Sequence, residues 1–324
     1  MRMALIVGLN HYNCGSHLYG CVNDAHSVKA ALERHFDGLI NFDCHLLTGS
    51  DSNKMVTRTE LKDNLTKLFK ADVDIALFYF AGHGHIESNG GYLLTCDITR
   101  GDEGVSLTEI LTMVNASPAK NKIIILDSCH SGIAGTPPDS NQLASLAEGV
   151  TFLTASTKDQ YASEEHGQGV FTTLLVDALN GSAANITGDI TLGSIYAHID
   201  QSLGAWEQRP IFKTNVKQFV SLRKTAPAIS LEDLRMITKL FPQPGFAFKL
   251  DPTFEPEMKG RDEDMPDPIE ENTKIFAILQ KYNRLHLLVP EGALHMWNAA
   301  MESKSCRLTA LGEHYRTLGK KNRI

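Results

Sequence analysis

The chain has 324 residues, of which 42% are apolar, and a formal net charge of −7. Such a length suffices for one large or two ordinary domains, and no apolar run reaches the roughly 18 residues of a membrane-spanning helix. Residues 1–222 hold 15 Lys and Arg against 24 Asp and Glu, whereas residues 223–324 hold 16 against 14. An acidic first part disfavours nucleic acid as its substrate and suits a basic one.

The N-terminal residues and the cysteines together predict a cytoplasmic protein. Residues 1–8 enter a strand directly, without the charged start, long apolar middle and small-residue cleavage site of a secretion signal. Scattered cysteines without framework spacing favour free thiols in a reducing compartment. They are Cys14, Cys21, Cys44, Cys96, Cys129 and Cys306.

Strand and helix alternate along the first 222 residues. The predicted strands are 3–9, 42–47, 75–80, 122–126 and 150–156, with a last edge at 210–212 and 218–220. The predicted helices are one opening at 20–25, then 55–70, 106–116, 169–180 and 190–204. Inward-facing positions are expected at Val28, Ala31, Leu32 and Phe36 in the first helix, and at Met55, Leu61, Leu65, Leu68 and Phe69 in the second. This alternation predicts an α/β fold whose mainly parallel sheet is covered on both faces.

Two of these strands end in residues that can do chemistry. The run 122–126 leads into Asp-Ser-Cys-His-Ser-Gly, and the run 75–80 leads into Ala-Gly-His-Gly-His. Ligands of open α/β sheets bind beyond the carboxyl ends of the strands, so Cys129 and His83 are expected to meet there. A thiol needs a base nearby to become a nucleophilic thiolate, and the backbone N–H groups of Gly84 and Cys129 are candidates for an oxyanion hole.

Either residue alone has an ordinary structural explanation. A single cysteine after an apolar strand is usually a small buried hydrophobe, and a single histidine is usually a satisfied core or surface residue. The two together, on two strand ends with glycine beside each and 46 residues apart, favour a catalytic pair.

Four motifs resemble those of one known family. They are Ala-Leu-Ile-Val-Gly at 4–8, Gly-Cys-Val-Asn-Asp-Ala at 20–25, Phe-Ala-Gly-His-Gly at 80–84 and Leu-Asp-Ser-Cys-His-Ser-Gly at 126–132. In this order and spacing, residues 1–222 resemble the caspase-like cysteine peptidases of clan CD, type C14, and within them the metacaspase-like prokaryotic branch. The resemblance implies a caspase-like three-layer sandwich with a mainly parallel six-stranded sheet.

The resemblance also assigns roles to individual residues. It implies His83 as general base and acid, Cys129 as nucleophile, and an S1 pocket lined by Cys21, Asp24 and Asp127. Two carboxylates in one pocket favour a cationic side chain, so cleavage after Arg or Lys is expected rather than after Asp. Two structural alternatives stay open. Asn23 or Asp24 is a helix N-cap, and Asp127 is a hydrogen-bonding residue at a strand end.

The sequence departs from the family pattern at three places. Ala81 stands where a serine is common, which removes one hydroxyl from the pocket. The acidic residues where metacaspases bind calcium lack an Asp-Asp pair, so no cofactor is expected to be required, and calcium activation is kept as an alternative. These residues are Asp97, Asp102, Glu103 and Glu109. No Lys or Arg lies between Lys122 and Lys158, so self-cleavage after Cys129 is disfavoured and a partner or a conformational change is the expected switch.

A zinc site is the remaining metal hypothesis. Cys14, His17 and Cys21, with His83 and His85, do not match a common zinc spacing and lack a second ligand pair. We therefore expect no metal in the site.

The rest of the chain divides in two. Residues 223–270 are rich in proline and are predicted to be a linker or arm, and residues 271–324 have the pattern of a small, mostly helical, winged-helix-like module. Its expected recognition helix, 292–303, carries no Lys or Arg, which disfavours nucleic acid and favours docking of an activating protein partner.

The sequence therefore predicts a cysteine endopeptidase that cleaves protein substrates after Arg or Lys and stays latent until it is activated in a stress or defence pathway. Two alternatives remain, a catalytically silent caspase-fold scaffold or signalling adaptor, and a peptidase-linked DNA-binding regulator.

Overall fold

A computed structural model describes residues 1–88, 90–100, 103–128, 146–155, 164–165, 168–204, 209–262 and 264–324. The chain forms two compact units, Met1–Ala226 and Pro227–Ile324. None of the helices in these ranges combines the length and the apolar character that a membrane crossing needs.

The first unit alternates strands and helices. Its strands are β1 (Arg2–Leu9), β2 (Asp43–Gly49), β3 (Ile75–Ala81), β4 (Gly84–Glu87), β5 (Gly90–Leu93), β6 (Val105–Ser106), β7 (Asn121–Asp127), β8 (Val150–Thr154), β9 (Glu164–Glu165), β10 (Gln168–Gly169), β11 (Asp189–Thr191), β12 (Ile211–Asn215) and β13 (Ser221–Lys224). Its helices are α1 (Cys21–Glu33), α2 (Arg58–Lys70), α3 (Leu107–Ala116), α4 (Val170–Asp177) and α5 (Leu192–Ser202), with a π-helical turn, Ala178–Ser182, after α4.

Six strands form the central sheet in the order β12-β8-β7-β3-β1-β2. All neighbours are parallel except β12, which runs antiparallel to β8 at one edge. This confirms the predicted α/β fold with a mainly parallel six-stranded sheet. Residues 218–220, predicted as part of the last edge, lie outside the strands, and β13 pairs instead with β11 in a separate two-stranded sheet.

Side chains that alternate between the two faces of the buried strands form two core layers, one on each side of the sheet. In β7, Ile123 and Ile125 belong to the layer under α1, α4 and α5, whereas Ile124 and Leu126 belong to the layer under α2 and α3. Successive side chains of a strand point to opposite faces, so a continuous apolar run fills both layers at once. By the same alternation Asp127, at the end of β7, belongs to the α1 and α4 side.

Two inward-facing predictions fail because each helix is shorter than its apolar pattern. α1 ends at Glu33, and Phe36 lies in the following loop with 53% of its surface exposed. α2 begins only at Arg58, because the Thr57 hydroxyl accepts the backbone N–H of Glu60 as an N-cap, which leaves Met55 exposed.

The second unit combines helices with a three-stranded antiparallel sheet of order β14-β16-β15. Its strands are β14 (Ala247–Lys249), β15 (Leu288–Glu291) and β16 (Ser305–Leu308). Its helices are α6 (Leu231–Arg235), α7 (Ile237–Leu240), α8 (Glu270–Arg284), α9 (Met296–Met301) and α10 (Ala310–Lys320). Residues 227–270, expected within a linker or arm, thus contribute α6, α7 and β14 to this unit, and the winged-helix resemblance stays a prediction.

Candidate active site

The carboxyl ends of β3 and β7 lie side by side at the centre of the sheet. Ala81 pairs with Asp127 in the parallel register, and the backbone N–H of Gly82 donates to the carbonyl oxygen of Asp127 at 3.2 Å. His83 follows two residues after Ala81, as Cys129 follows two residues after Asp127 in the sequence. Cys129 itself lies outside the described residues.

His83 is held by the loop between β1 and α1. Its backbone N–H donates to the hydroxyl of Tyr12 at 2.8 Å, and the two rings are in contact with centroids 4.7 Å apart. The Tyr12 hydroxyl in turn donates to the carbonyl of Leu9 at 3.2 Å. Nε2 of the His83 ring lies 2.8 Å from the carbonyl oxygen of Ser16.

The Ser16 carbonyl decides which ring nitrogen of His83 carries the proton. A carbonyl oxygen only accepts hydrogen bonds, so Nε2 must be the protonated nitrogen of the neutral ring. Nδ1 is then left with its lone pair and can accept a proton from a thiol. The contact therefore sets the tautomer that a general base requires.

Asn10 anchors this loop at both of its ends. Its side-chain Nδ2 donates to the carbonyl of Tyr19 at 3.2 Å, and its Oδ1 accepts the backbone N–H of Val22 at 3.1 Å. Its backbone N–H donates to the carbonyl of Gly49 at 2.8 Å. The loop that carries Ser16 is therefore fixed between the end of the sheet and the first turn of α1.

The carboxylate oxygens of Asp24 and Asp127 both lie beside the α-carbon of Gly169. The two residues are 2% and 7% exposed. A β-carbon built on Gly169 would lie 2.5 Å from Oδ2 of Asp127 and 3.1 Å from Oδ2 of Asp24. The structure thus brings together the two carboxylates that the sequence assigned to the S1 pocket.

The first turn of α4 supplies donors to both carboxylates. The backbone N–H of Gly169, the N-cap of α4, donates to Asp24 Oδ2 at 3.0 Å and Oδ1 at 3.3 Å. The hydroxyl of Thr172 donates to Asp127 Oδ2 at 2.6 Å. Neighbouring buried carboxylates repel each other, and these donors together with the positive end of the helix dipole offset that repulsion.

Tyr79 completes a buried chain of hydroxyl groups behind Asp127. Its hydroxyl lies 2.6 Å from the hydroxyl of Thr172, and both side chains are almost fully buried. Burial, followed by the negative charges of Asp127 and Asp24, raises the pKa of Tyr79 well above its ordinary value. Tyr79 therefore stays a neutral donor beside the acidic pair.

The other predicted site residues lie around this core. Cys21 is buried at the first position of α1, whose N-terminus packs so closely on β1 that a β-carbon on Gly8 would lie 2.2 Å from the Cys21 carbonyl oxygen. Gly84 begins β4 and pairs with Leu93. The N-cap of α1 is Gly20, so neither Asn23 nor Asp24 has the capping role that was the structural alternative.

The acidic residues of the calcium hypothesis are engaged with protein donors. Asp97 accepts from the Arg58 backbone and the Thr95 hydroxyl, Glu103 accepts from Thr99, and Glu109 forms an ion pair with Lys62 at 2.5 Å. Asp102 lies outside the described residues. Within the described ranges, no three His, Cys, Asp or Glu side chains are arranged to hold a metal ion.

Sequence reasoning did not find Tyr12, Ser16, Tyr79 or Thr172. A backbone carbonyl such as that of Ser16 has no residue signature, and Tyr79 reads as one more apolar position of a buried strand. A hydroxyl three residues into a helix that follows a glycine was the available signal for Thr172.

A histidine and a buried acidic pair at the carboxyl edge of a mainly parallel sheet are the arrangement expected of a caspase-like cysteine peptidase. The sequence model of the caspase domain, peptidase C14, matches residues 1–229. The chain therefore belongs to the caspase domain family, a family of cysteine-type peptidases.

Several metacaspases are similar to parts of this chain. Metacaspase-9 of Arabidopsis thaliana is 29% identical over 146 residues, which cover 40% of this chain and 43% of that protein. Metacaspase-1 of Meyerozyma guilliermondii is 28% identical over 149 residues, covering 41% and 36%, and that of Botryotinia fuckeliana is 26% identical over 215 residues, covering 58% and 46%. The chain spans less than half the length of these curated relatives.

A solved structure supports the same fold. The crystal structure of protein GSU0716 from Geobacter sulfurreducens superposes with a TM-score of 0.51 at 18% identity, covering 70% of this chain and 98% of that one. At this identity the likeness concerns the fold alone.

Proposed function

We propose that the protein is a cysteine endopeptidase that cleaves protein substrates after Arg or Lys through a His83/Cys129 dyad. The observation that carries the proposal is the convergence of two buried carboxylates beside a histidine whose Nδ1 is set to accept a proton. Asp127 ends β7 and His83 follows the end of β3 at the same edge of the sheet, whereas Asp24 lies in the first turn of α1. Asp127 stands two residues before Cys129 in the sequence.

The reaction follows from these groups. Nδ1 of His83 takes the proton of the Cys129 thiol, and the thiolate attacks the scissile carbonyl carbon to form a C–S bond. The backbone N–H groups of Gly84 and Cys129 stabilise the resulting oxyanion. His83 returns the proton to the leaving amine as the C–N bond breaks, and water, deprotonated by His83, then hydrolyses the thioester and regenerates the thiol.

The Ser16 carbonyl stabilises His83 at each stage of this cycle. The Nε2–H bond holds the ring in one orientation, and its partial negative charge favours the imidazolium that forms when Nδ1 is protonated. A backbone oxygen, rather than a third catalytic side chain, orients His83.

The acidic pair supports the choice of Arg or Lys in the S1 pocket. Two carboxylates in a site shielded from water attract a cation far more strongly than exposed carboxylates do. A guanidinium can donate to both at once, and an ammonium can contact both as a point charge. An aspartate side chain would meet two like charges.

Control of the enzyme is the remaining part of the proposal. Since residues 129–157 contain no Arg or Lys, a pocket that selects a cation cannot direct cleavage there, and we assign activation to a protein partner docked on the second unit. A cytoplasmic peptidase of this type suits a stress or defence pathway.

The proposal is tested with fluorogenic peptides ending in Arg, Lys or Asp, with and without calcium, on the wild type and Cys129→Ala. We expect a basal release after Arg and Lys in the absence of the partner that is lost in Cys129→Ala, and no release after Asp. Cleavage after Asp, or cleavage after Arg that survives in Cys129→Ala, would overturn the assignment.

A further inference from the structure

We propose that Thr172 is a positioning residue that fixes the Asp127 carboxylate and thereby sets the affinity of the S1 pocket for a cationic side chain. This inference rests on the proposed function and extends it to a residue that does not touch the substrate. It identifies α4, rather than the catalytic strands, as the element that tunes specificity.

The hydrogen-bond directions along the chain follow from chemistry. A carboxylate only accepts, so the single hydroxyl hydrogen of Thr172 must point to Asp127 Oδ2, 2.6 Å away. The hydroxyl oxygen of Thr172 is then the acceptor of the Tyr79 hydroxyl, also at 2.6 Å. Tyr79 thus orients Thr172, and Thr172 orients Asp127.

This contact fixes the rotation of the carboxylate. The terminal torsion of an aspartate is soft, so a hydrogen bond to one of its oxygens restricts the turn of the Asp127 carboxylate about its last bond. With Oδ2 held on the α4 side, Oδ1 has a defined direction. Charge-assisted O–H···O⁻ bonds of this length are among the stronger hydrogen bonds in proteins.

Two groups at the start of α4 donate to the acidic pair, the Gly169 backbone N–H and the Thr172 hydroxyl, and of these two the hydroxyl can be removed by a side-chain substitution. Asp24 is held by a backbone N–H of Gly169, which side-chain substitution does not remove. Thr172 is 1% exposed and lies three residues after Gly169, in the first turn of α4. Its hydroxyl is therefore the side-chain group of α4 through which the orientation of Asp127 can be changed.

The affected kinetic constant follows from the role. A group that orients a pocket carboxylate acts on binding in the ground state and in the transition state alike, so it changes KM and leaves kcat nearly constant. The loss of one charge-assisted hydrogen bond is expected to raise KM about 10-fold or more. The inhibition constant of agmatine, a small guanidinium compound, should rise in parallel.

The experiment compares Thr172→Val, which removes the hydroxyl at constant shape, with Thr172→Ser, which keeps it. Steady-state kinetics on an Arg peptide and agmatine inhibition are measured on the full chain, with thermal unfolding alongside. Thr151→Val is the matched control, because Thr151 is also buried and hydrogen-bonded through its hydroxyl, to Thr214 at 2.8 Å. If Thr172→Val does not fold, Tyr79→Phe carries the test, with an expected rise in KM of about 3-fold.

We expect Thr172→Val to show a KM raised about 10-fold with kcat within about 3-fold of the wild type, Thr172→Ser to match the wild type, and Thr151→Val to leave KM unchanged. An unchanged KM in Thr172→Val, or an equal defect in Thr172→Ser, would overturn the inference while wild-type cleavage after Arg still supports the proposed function. A wild type that cleaves after Asp instead would overturn both.

Discussion

Nε2 of His83 lies 2.8 Å from the carbonyl oxygen of Ser16, in the loop that leads into the helix carrying Asp24. The proposed general base and the proposed specificity pocket therefore share one support, the segment between β1 and α1. Asn10 and Tyr12 hold that segment, and neither needs to touch a substrate to affect catalysis.

Tyr12→Phe distinguishes an effect on the orientation of His83 from an effect on the S1 pocket. The variant keeps the buried ring but leaves the backbone N–H of His83 without its 2.8 Å acceptor, so the imidazole loses part of its fixed orientation. We expect kcat to fall about 10-fold with little change in KM, and a loss of about 1 kcal/mol in unfolding free energy.

Tyr282→Phe serves as the control for that experiment. Tyr282 is a buried tyrosine of the second unit whose hydroxyl donates to the carbonyl of Asp233. It should show a comparable loss of stability without the fall in kcat. An equal fall in kcat for both variants would mean that stability, not the orientation of His83, limits the rate.

Asp24→Asn and Asp127→Asn test the acidic pocket one carboxylate at a time. Each substitution keeps the size of the side chain and removes one negative charge from a buried site. We expect kcat/KM on Arg and Lys peptides to fall about 10- to 100-fold in each variant, because the cationic side chain of the substrate loses its charge-assisted hydrogen bond to one carboxylate. Asp63→Asn, at an exposed position of α2, is the control, and an Arg preference unchanged in both pocket variants would contradict the assignment.

Gly169→Ala tests the convergence of the two carboxylates without altering a charge. Gly169 has φ −70°, which alanine adopts readily, so any effect comes from the added methyl group. That methyl group would lie 2.5 Å from Asp127 Oδ2 and must displace it. We expect KM for Arg peptides to rise about 10-fold, and a wild-type KM would show that the carboxylates do not act from this position.

Cys44 supplies a prediction about thiol reactivity. Burial, followed by the nearby charge of Glu33, raises the pKa of its thiol to about 11. A raised pKa means that the thiol stays protonated at neutral pH and becomes a reactive thiolate only as the pH approaches that value. Alkylation of Cys44 by iodoacetamide, followed by mass spectrometry, should be negligible at pH 7 and increase about tenfold per pH unit above it. The exposed Cys14 is the control for access of the reagent and should be alkylated in the same sample.

The strand ends carried most of the information that could be obtained from the sequence. A parallel sheet aligns its carboxyl edges, so apolar runs ending in His83 and Asp127 sufficed to place these residues as neighbours. The family motif at 20–25 implied that Asp24 lies in the same pocket. Composition and alternation were enough for the α/β fold.

Contacts that depend on tertiary packing were out of reach. Ser16 contacts His83 through its backbone oxygen, which every residue type has. Gly169 leaves room for the two carboxylates because it has no side chain. Neither residue type is therefore informative by itself. The composition of residues 241–249 did not indicate β14, because its partner strand β16 lies far along the chain. Ala247 pairs with Arg307, and Lys249 pairs with Ser305.

Covalent labelling tests the central claim most directly. The full chain is treated with two peptidyl acyloxymethyl ketones that differ only in Arg or Asp at the position that enters S1, and the modified residue is identified by mass spectrometry. We predict that the Arg reagent modifies Cys129 and that His83→Ala slows this reaction strongly. Modification by the Asp reagent in preference to the Arg reagent, or no modification of Cys129 by either, would contradict it.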